Sequence, residues 1–209
     1  MVMKDINLKK RIADICFKHK LGHLGSYFSN IDIIDKIYSK MNDDDIFILS
    51  SGHAAVSLYV VLEKYKGQDA ENLFIKYGGH PHRNENDWIH CSTGSLGMGL
   101  CISLGRAVAN PKRKVYVLIS DGECAEGSIW EALKTITEEN ISNIEVHVNI
   151  NGYAAYKTVD QEYLTKRLKS FLPTIKLHTT TVEQYSFLKG LNAHYHVMNE
   201  ENYKEIINS

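Results

Sequence analysis

Asp121 and Asn151 stand 30 residues apart, each directly after a hydrophobic run and directly before a glycine. A carboxylate and an amide oxygen are the donors a small hard cation wants, and such a cation readily shares a phosphate. The spacing suits one strand, helix, strand crossover, which would bring both residues to the same sheet edge. In open α/β sheets that edge, outside the carboxyl ends of the strands, is where ligands collect. Gly122 and Gly152 would let the backbone approach a ligand closely. Taken alone, an Asp-Gly or Asn-Gly pair is a turn, so the company these pairs keep decides the reading. Histidine and glycine also concentrate between His19 and Ser29, where His23 stands in the sequence GHLG.

The elements that must position these residues follow from periodicity. Helical spacing of apolar residues predicts a helix from Ile6 to Phe17 and a second from Ile31 to Met41 with Asn30 as its cap, leaving His19 to Ser29 as a loop. Ile46 to Leu49 is a short apolar run that meets Ser50, Ser51, Gly52 and His53 before a helical pattern through Tyr65, the strand, turn, helix order of an α/β domain. Val115 to Ile119 is a continuous apolar run, as in a strand covered on both faces, and a helix follows from about Ser128. Ile144 to Ile150 repeats the pattern. A charged helical stretch from Asp160 to Lys169, a brief apolar run at Ile175 to Leu177 and a polar helix after Asn199 complete the chain. The acidic run Asp43 to Asp45 reads as a solvated turn. No linker or repeat interrupts the sequence, so 1–209 reads as one domain, a doubly wound, mostly parallel sheet flanked by helices.

Composition narrows the function classes. With 209 residues, 44% of them hydrophobic and a net charge of -1, the chain can build one sizeable core and offers no basic track for nucleic acid. Met1 to Lys10 has no apolar signal core, and no stretch nears the roughly 20 apolar residues of a membrane span. The expectation is a cytoplasmic protein with neither a nucleic-acid nor a membrane partner. Cys16, Cys91, Cys101 and Cys124 lack the spacing of a zinc site or a disulfide scaffold and read as free, mostly buried thiols.

DGECAEGSIWEA at 121 to 132, with VNING at 148 to 152, resembles the thiamine diphosphate fingerprint of transketolases, a GDG with a downstream NN or DxN ending. LGHLGSYFSNIDIIDKIY resembles the family's GHPG segment and the helix after it, and ILSSGHAAVSLY its LSKGH segment; GGHPH and STGSLGMGL match two more. PTIKLHTTTVEQYSFL and HYHVMNEENY resemble the family's end of this domain. The similarity covers nearly the whole chain, in order.

That resemblance implies roles. Asp121, Asn151 and the Tyr153 carbonyl would hold Mg2+ or Ca2+, and Gly122 would contact the diphosphate. Glu123 joins the cofactor-binding set, although in a first turn it would also favour a helix N-terminus electrostatically. His53 and a tail histidine would touch the diphosphate side of the cofactor, and Gly94, Ser95 and Leu96 would form the shelf beneath its aminopyrimidine. His23, His80 and the tail histidine would be catalytic, facing substrate. Counting back from Tyr203 makes the tail histidine His194, with His196 fitting if one residue is inserted. His82, His90, His147 and His178 read as structural, and Glu126 would lie near an interface between protomers.

The family places the glutamate that activates the cofactor on a separate pyrimidine-binding domain. Such a domain does not fit within 209 residues. The resemblance therefore implies the diphosphate-binding subunit of a split transketolase-like enzyme, with a partner subunit of the C-terminal type, assembly as a dimer of heterodimers, and a sugar substrate carrying a two-carbon ketol unit. The alternatives are a non-catalytic regulatory homologue and a 2-oxo acid decarboxylating subunit. Departures are Ser120 in place of the first glycine of GDG, a segment shortened near 159–173, and a TTTVEQYSF loop without the family's lysine and glycines.

Overall fold

Residues 5–209 are described by a computed structural model; the reading of Met1 to Lys4 lies outside the described residues. Four parallel strands, β1 (Ile46–Leu49), β2 (Val115–Ser120), β3 (Ile144–Ile150) and β4 (Lys176–Thr179), pair in the order β1-β2-β3-β4. The register sets Leu49 beside Leu118, Ser120 beside Asn149 and Ile150 beside Thr179. All four carboxyl ends therefore finish along one edge.

Helices cover both faces. On one side α1 (Leu8–His19), α2 (Leu24–Tyr38) and α3 (Ala55–Lys66) pack on Phe47, Leu49, Tyr116 and Leu118. Opposite, α5 (Met98–Ala109), α6 (Gly127–Glu138) and α7 (Gln161–Phe171) pack on Ile48, Val117, Ile119, Val146 and Val148. The strand residues alternate between two cores because successive side chains point to opposite faces. Every residue of β1 and β2 is buried, and each buried Ile, Leu or Val contributes about 1.5–3 kcal/mol. Two further helices, α4 (Ala70–Tyr77) and α8 (Glu200–Ile207), complete the fold. α8 lies on α1, where Tyr203 stacks on Phe17 and donates to Asp14 Oδ1.

Three features differ from the sequence reading. α2 begins at Leu24 rather than Ile31, so the expected loop from His19 to Ser29 shrinks to residues 20–23. Asn30 caps nothing; it sits inside the helix and donates from Nδ2 to the Ser26 carbonyl. Leu24, Tyr27, Phe28 and Ile31 form one buried stripe at helical spacing, but Gly25, Ser26 and Ser29 between them dilute the pattern. Gly25 is there for packing: a Cβ on it would lie 3.0 Å from both Ala193 and Val182. Second, β3 does not repeat the unbroken apolar run Val115 to Ile119 of β2. Glu145, His147 and Asn149 alternate along it with Val146, Val148 and Ile150, and both His147 and Asn149 are buried. Third, Asp45 is buried, not solvated, and accepts from Asn42 N and Nδ2.

Between β3 and β4 the connection holds one helix, α7, with Asp160 at its N-cap accepting from Tyr163 N–H. The four cysteines are free thiols, with Cys101 alone part-exposed. No helix among the described residues is long and apolar enough to cross a membrane.

Candidate functional site

β2 and β3 deliver Asp121 and Asn151 side by side. The Asp121 N–H continues the ladder to the Asn149 carbonyl (3.0 Å), so Asp121 leaves the sheet in register with its neighbour strand. Its carboxylate then bridges the two strand ends: Oδ1 accepts from Gly122 N–H at 3.0 Å and Oδ2 from Gly152 N–H at 2.7 Å. Asn151 Oδ1 accepts from Tyr153 N–H at 3.0 Å, which shapes the turn presenting the Tyr153 carbonyl. Gly122 is needed for contact: a Cβ there would meet Ala154 Cα at 3.2 Å. Asp121 is only 2% exposed. Burial pushes its carboxyl up to about 6, against the pull of the backbone N–H groups of Gly152 and Gly122.

Beside this edge lies a cavity of about 360 Å3, walled by Gly122, Asn151 and Tyr153 on one side and by His23, His53, His80 and His194 on the other. The imidazoles of His23, His53 and His194 are mutual neighbours, with centroid separations of 4.2 to 5.6 Å. The N-cap of α2 is His23, held in the left-handed region at φ 61 by its N–H bond to the His194 carbonyl. A non-glycine residue in that region costs on the order of 1–2 kcal/mol, and here the strain aims a ring into the cavity. Burial, then the charges of His194 and His80, lowers the His23 pKa to about 4. Burial, then His23 and the other two rings, lowers that of His53 to about 3, and burial lowers that of His194. At neutral pH these three imidazoles are therefore uncharged, each with one donor and one acceptor nitrogen.

The turn after β1 that carries His53 is locked against the segment from Thr93 to Leu96. A Cβ on Gly52 would lie 2.5 Å from the Thr93 carbonyl carbon and oxygen, and one on Gly94 would lie 2.9 Å from His80. Gly94 and Leu96 reach the cavity wall; Ser95 does not. Glu123 does not either. It is fully buried, with Oε1 accepting from Ser50 Oγ (2.6 Å) and Gly97 N–H (3.0 Å), and Oε2 from Ser120 N–H (3.0 Å). Those bonds tie the ends of β1 and β2 to the shelf, a positioning role. Asp121 itself borders a second cavity of about 370 Å3 on the far side of Gly122, with Lys157 and Arg167.

His194, not His196, is the tail histidine on the wall; His196 Nε2 instead pairs with Asn202 Oδ1 at 2.8 Å. Glu126 also reaches the cavity. His82, His90, His147 and His178 lie off it. Ser26 and Asn30 carry no signal of their own in the sequence, yet both line it. Their spacing of four on a helix puts them on one face, but only the earlier start of α2 makes that spacing meaningful.

Do these residues fit a divalent cation with a diphosphate? Among the described residues, no group of three His, Cys, Asp or Glu side chains is arranged to hold a metal ion by itself. The donors available are one carboxylate, one amide oxygen and a backbone carbonyl, all hard oxygens that suit Mg2+ or Ca2+ and leave positions for phosphate oxygens. Two buried polar atoms on the cavity wall, His23 Nδ1 and Asn30 Oδ1, have no protein partner. Such atoms are costly unless a ligand or water meets them. The set fits.

The 1-deoxy-D-xylulose-5-phosphate synthase N-terminal family model matches residues 6–208. The chain is 34% identical over 143 residues to one of the subunits of apulose-4-phosphate transketolase from Actinobacillus succinogenes, covering 59% of this chain and 52% of that protein. It is 31% identical over 173 residues to the corresponding protein from Phocaeicola vulgatus, covering 73% and 61%. The chain thus spans between half and two thirds of these relatives. Transketolase from Leishmania mexicana superposes with a TM-score of 0.71 at 22% identity, covering 95% of this chain and 39% of that one, a likeness of fold.

Proposed function

The chain belongs to the 1-deoxy-D-xylulose-5-phosphate synthase N-terminal family, and from that membership we propose that it is the cofactor-binding part of a transketolase-like enzyme. The reaction is transfer of a two-carbon ketol unit from a ketose to an aldose, in the cytoplasm, with thiamine diphosphate and a divalent cation bound. The observation that carries this reading is the sharing of one cavity by the oxygen donors at Asn151 and Tyr153 and a group of uncharged imidazoles. Two relatives named as transketolase subunits favour ketol transfer over 2-oxo acid decarboxylation and over a non-catalytic role.

When bound, the cofactor supplies a nucleophilic thiazolium carbon that cleaves the bond next to a ketose carbonyl. The residues of this chain would hold and orient it. Asp121, Asn151 and the Tyr153 carbonyl would hold Mg2+ or Ca2+, and the cation would tie down the diphosphate. Gly122 lets the backbone lie against it. Gly94 and Leu96 would carry the aminopyrimidine. His23, His53, His80 and His194 would bond to substrate hydroxyls and carbonyl oxygen and to the diphosphate side of the cofactor. Because the His23, His53 and His194 rings are uncharged near neutrality, they can pass a proton without first losing one.

The pyrimidine-binding domain, with its activating glutamate, would come from a partner polypeptide, as the names of the two relatives suggest. A phosphorylated ketose fits the same names, and a dimer of heterodimers would complete two sites. Calorimetry on this chain mixed with the product of the neighbouring gene tests the proposal. Thiamine diphosphate should bind only with Mg2+ present, and Asp121→Ala should abolish that binding. Cation-independent binding, or full retention in the variant, would sink it.

A further inference from the structure

Away from the cofactor cavity, the polar side of β3 builds a second constellation. Glu145, His147 and His178 form a continuous chain of bonds beneath the C-terminal half of α2. Lys114 Nζ donates to Glu145 Oε2 at 3.0 Å, His147 Nε2 lies 2.9 Å from Glu145 Oε1, and His147 Nδ1 lies 2.9 Å from His178 Nε2. A carboxylate only accepts, so His147 carries its proton on Nε2. Neutral His147 then accepts at Nδ1 from His178 Nε2–H, which leaves Nδ1 of His178 as a lone pair with no protein partner among the described residues.

That ring opens on a cavity of about 190 Å3 whose wall also includes Lys36 of α2, Lys40 in the turn just after it, Tyr116 of β2 and Lys176 of β4. Glu145 is the one acid on this wall, and Lys114 already neutralises it. Lys36, Lys40 and Lys176 form no ion pair among the described residues. Three lysines on the wall of one small cavity, without a paired carboxylate, produce a positive field that favours an anion. The same field, after burial, depresses the His178 pKa, with Lys36 and Lys40 as the charges responsible. An anion seated between them would cancel that repulsion and let Nδ1 take up a proton and donate.

We propose that this cavity binds a small oxyanion of the phosphate-monoester class, with uptake of one proton at Nδ1 of His178. The site is separate from the cofactor cavity and does not depend on the function proposed above. It shares β3 with the cofactor site, since His147 and Asn151 belong to one strand and its turn.

Sulfate is the probe, because its charge is constant across the pH range where histidine titrates. Titrated calorimetrically into the full chain, it should bind saturably at one site, at least about fivefold more tightly at pH about 6 than at pH about 8, within the tenfold per pH unit that one linked proton allows. Lys36→Gln combined with Lys40→Gln should weaken binding at least about tenfold; both side chains are exposed, and an unchanged unfolding midpoint will verify the fold. His178→Gln should retain binding and lose its pH dependence. The proposal is overturned by the absence of saturable binding, by sulfate affinity that survives the double lysine change, which would put the anion elsewhere, or by pH dependence that persists without His178.

Discussion

Replacing Asp121 with asparagine should stabilise the cofactor-free protein while removing its affinity for cofactor. In the fold the carboxyl titrates at about 6 against an ordinary value of 3.8, a difference of about 2 pH units, so ionising it in the folded chain costs about 3 kcal/mol. The sign follows from the raised value. Below pH 3.8 both folded and unfolded chains hold the proton and no cost exists; the cost builds as pH rises and is complete above about 6. Asparagine escapes it, but its amide can accept from only one of the two N–H groups, of Gly122 and Gly152, that Asp121 satisfies. Losing that bond offsets roughly 1–2 kcal/mol. The net gain for Asp121→Asn is therefore about 1–2 kcal/mol near pH 8 in metal-free buffer, falling by about 2 kcal/mol by pH 4.5. Urea unfolding at the two pH values measures it. Thiamine diphosphate with Mg2+ should then raise the midpoint of the parent protein and leave the variant unmoved. A variant less stable than its parent at pH 8, or an advantage that does not shrink on acidification, would refute the reasoning.

Gly52→Ala should destabilise the chain by about 3 kcal/mol, because the new methyl would sit 2.5 Å from the Thr93 backbone; thermal unfolding reads this directly. Glu123→Gln breaks the buried tie among Ser50, Gly97 and Ser120 and should cost roughly 2–3 kcal/mol, while the protein that remains folded keeps Mg2+-dependent cofactor binding; loss of that binding in a stable variant would restore a direct cofactor role. Histidine proton resonances should show His23 and His53 unmoved between pH about 5 and about 8, because their lowered values of about 4 and about 3 place titration below that window. A midpoint for either within it would contradict the uncharged cavity.

What was legible in the sequence was whatever local chemistry enforces. β1 and β2 are unbroken apolar runs because both faces are covered, and such runs cannot be solvated. Asp121 and Asn151 follow strands, so the parallel register brings them together without further information. The glycines at 52, 94 and 122 stand where a Cβ would meet another segment. The start of α2 was not legible. Gly25 looks like a loop residue until Val182 and Ala193, far along the chain, are seen to pack on it. The family resemblance puts Glu123 in the cofactor-binding set, and only the approach of Ser50 and Gly97 shows where its oxygens are bonded.

The sequence by itself therefore determined the sheet, the strand-end donors and the family, since these depend on residue type, period and short spacing. Tertiary structure alone decided which histidine of the tail faces the cavity, how His23, His53 and His194 share their proton affinity, and that His147 and His178 meet beside three lysines. Each of these depends on groups brought together from separate elements, and burial and mutual charge act through space rather than along the chain.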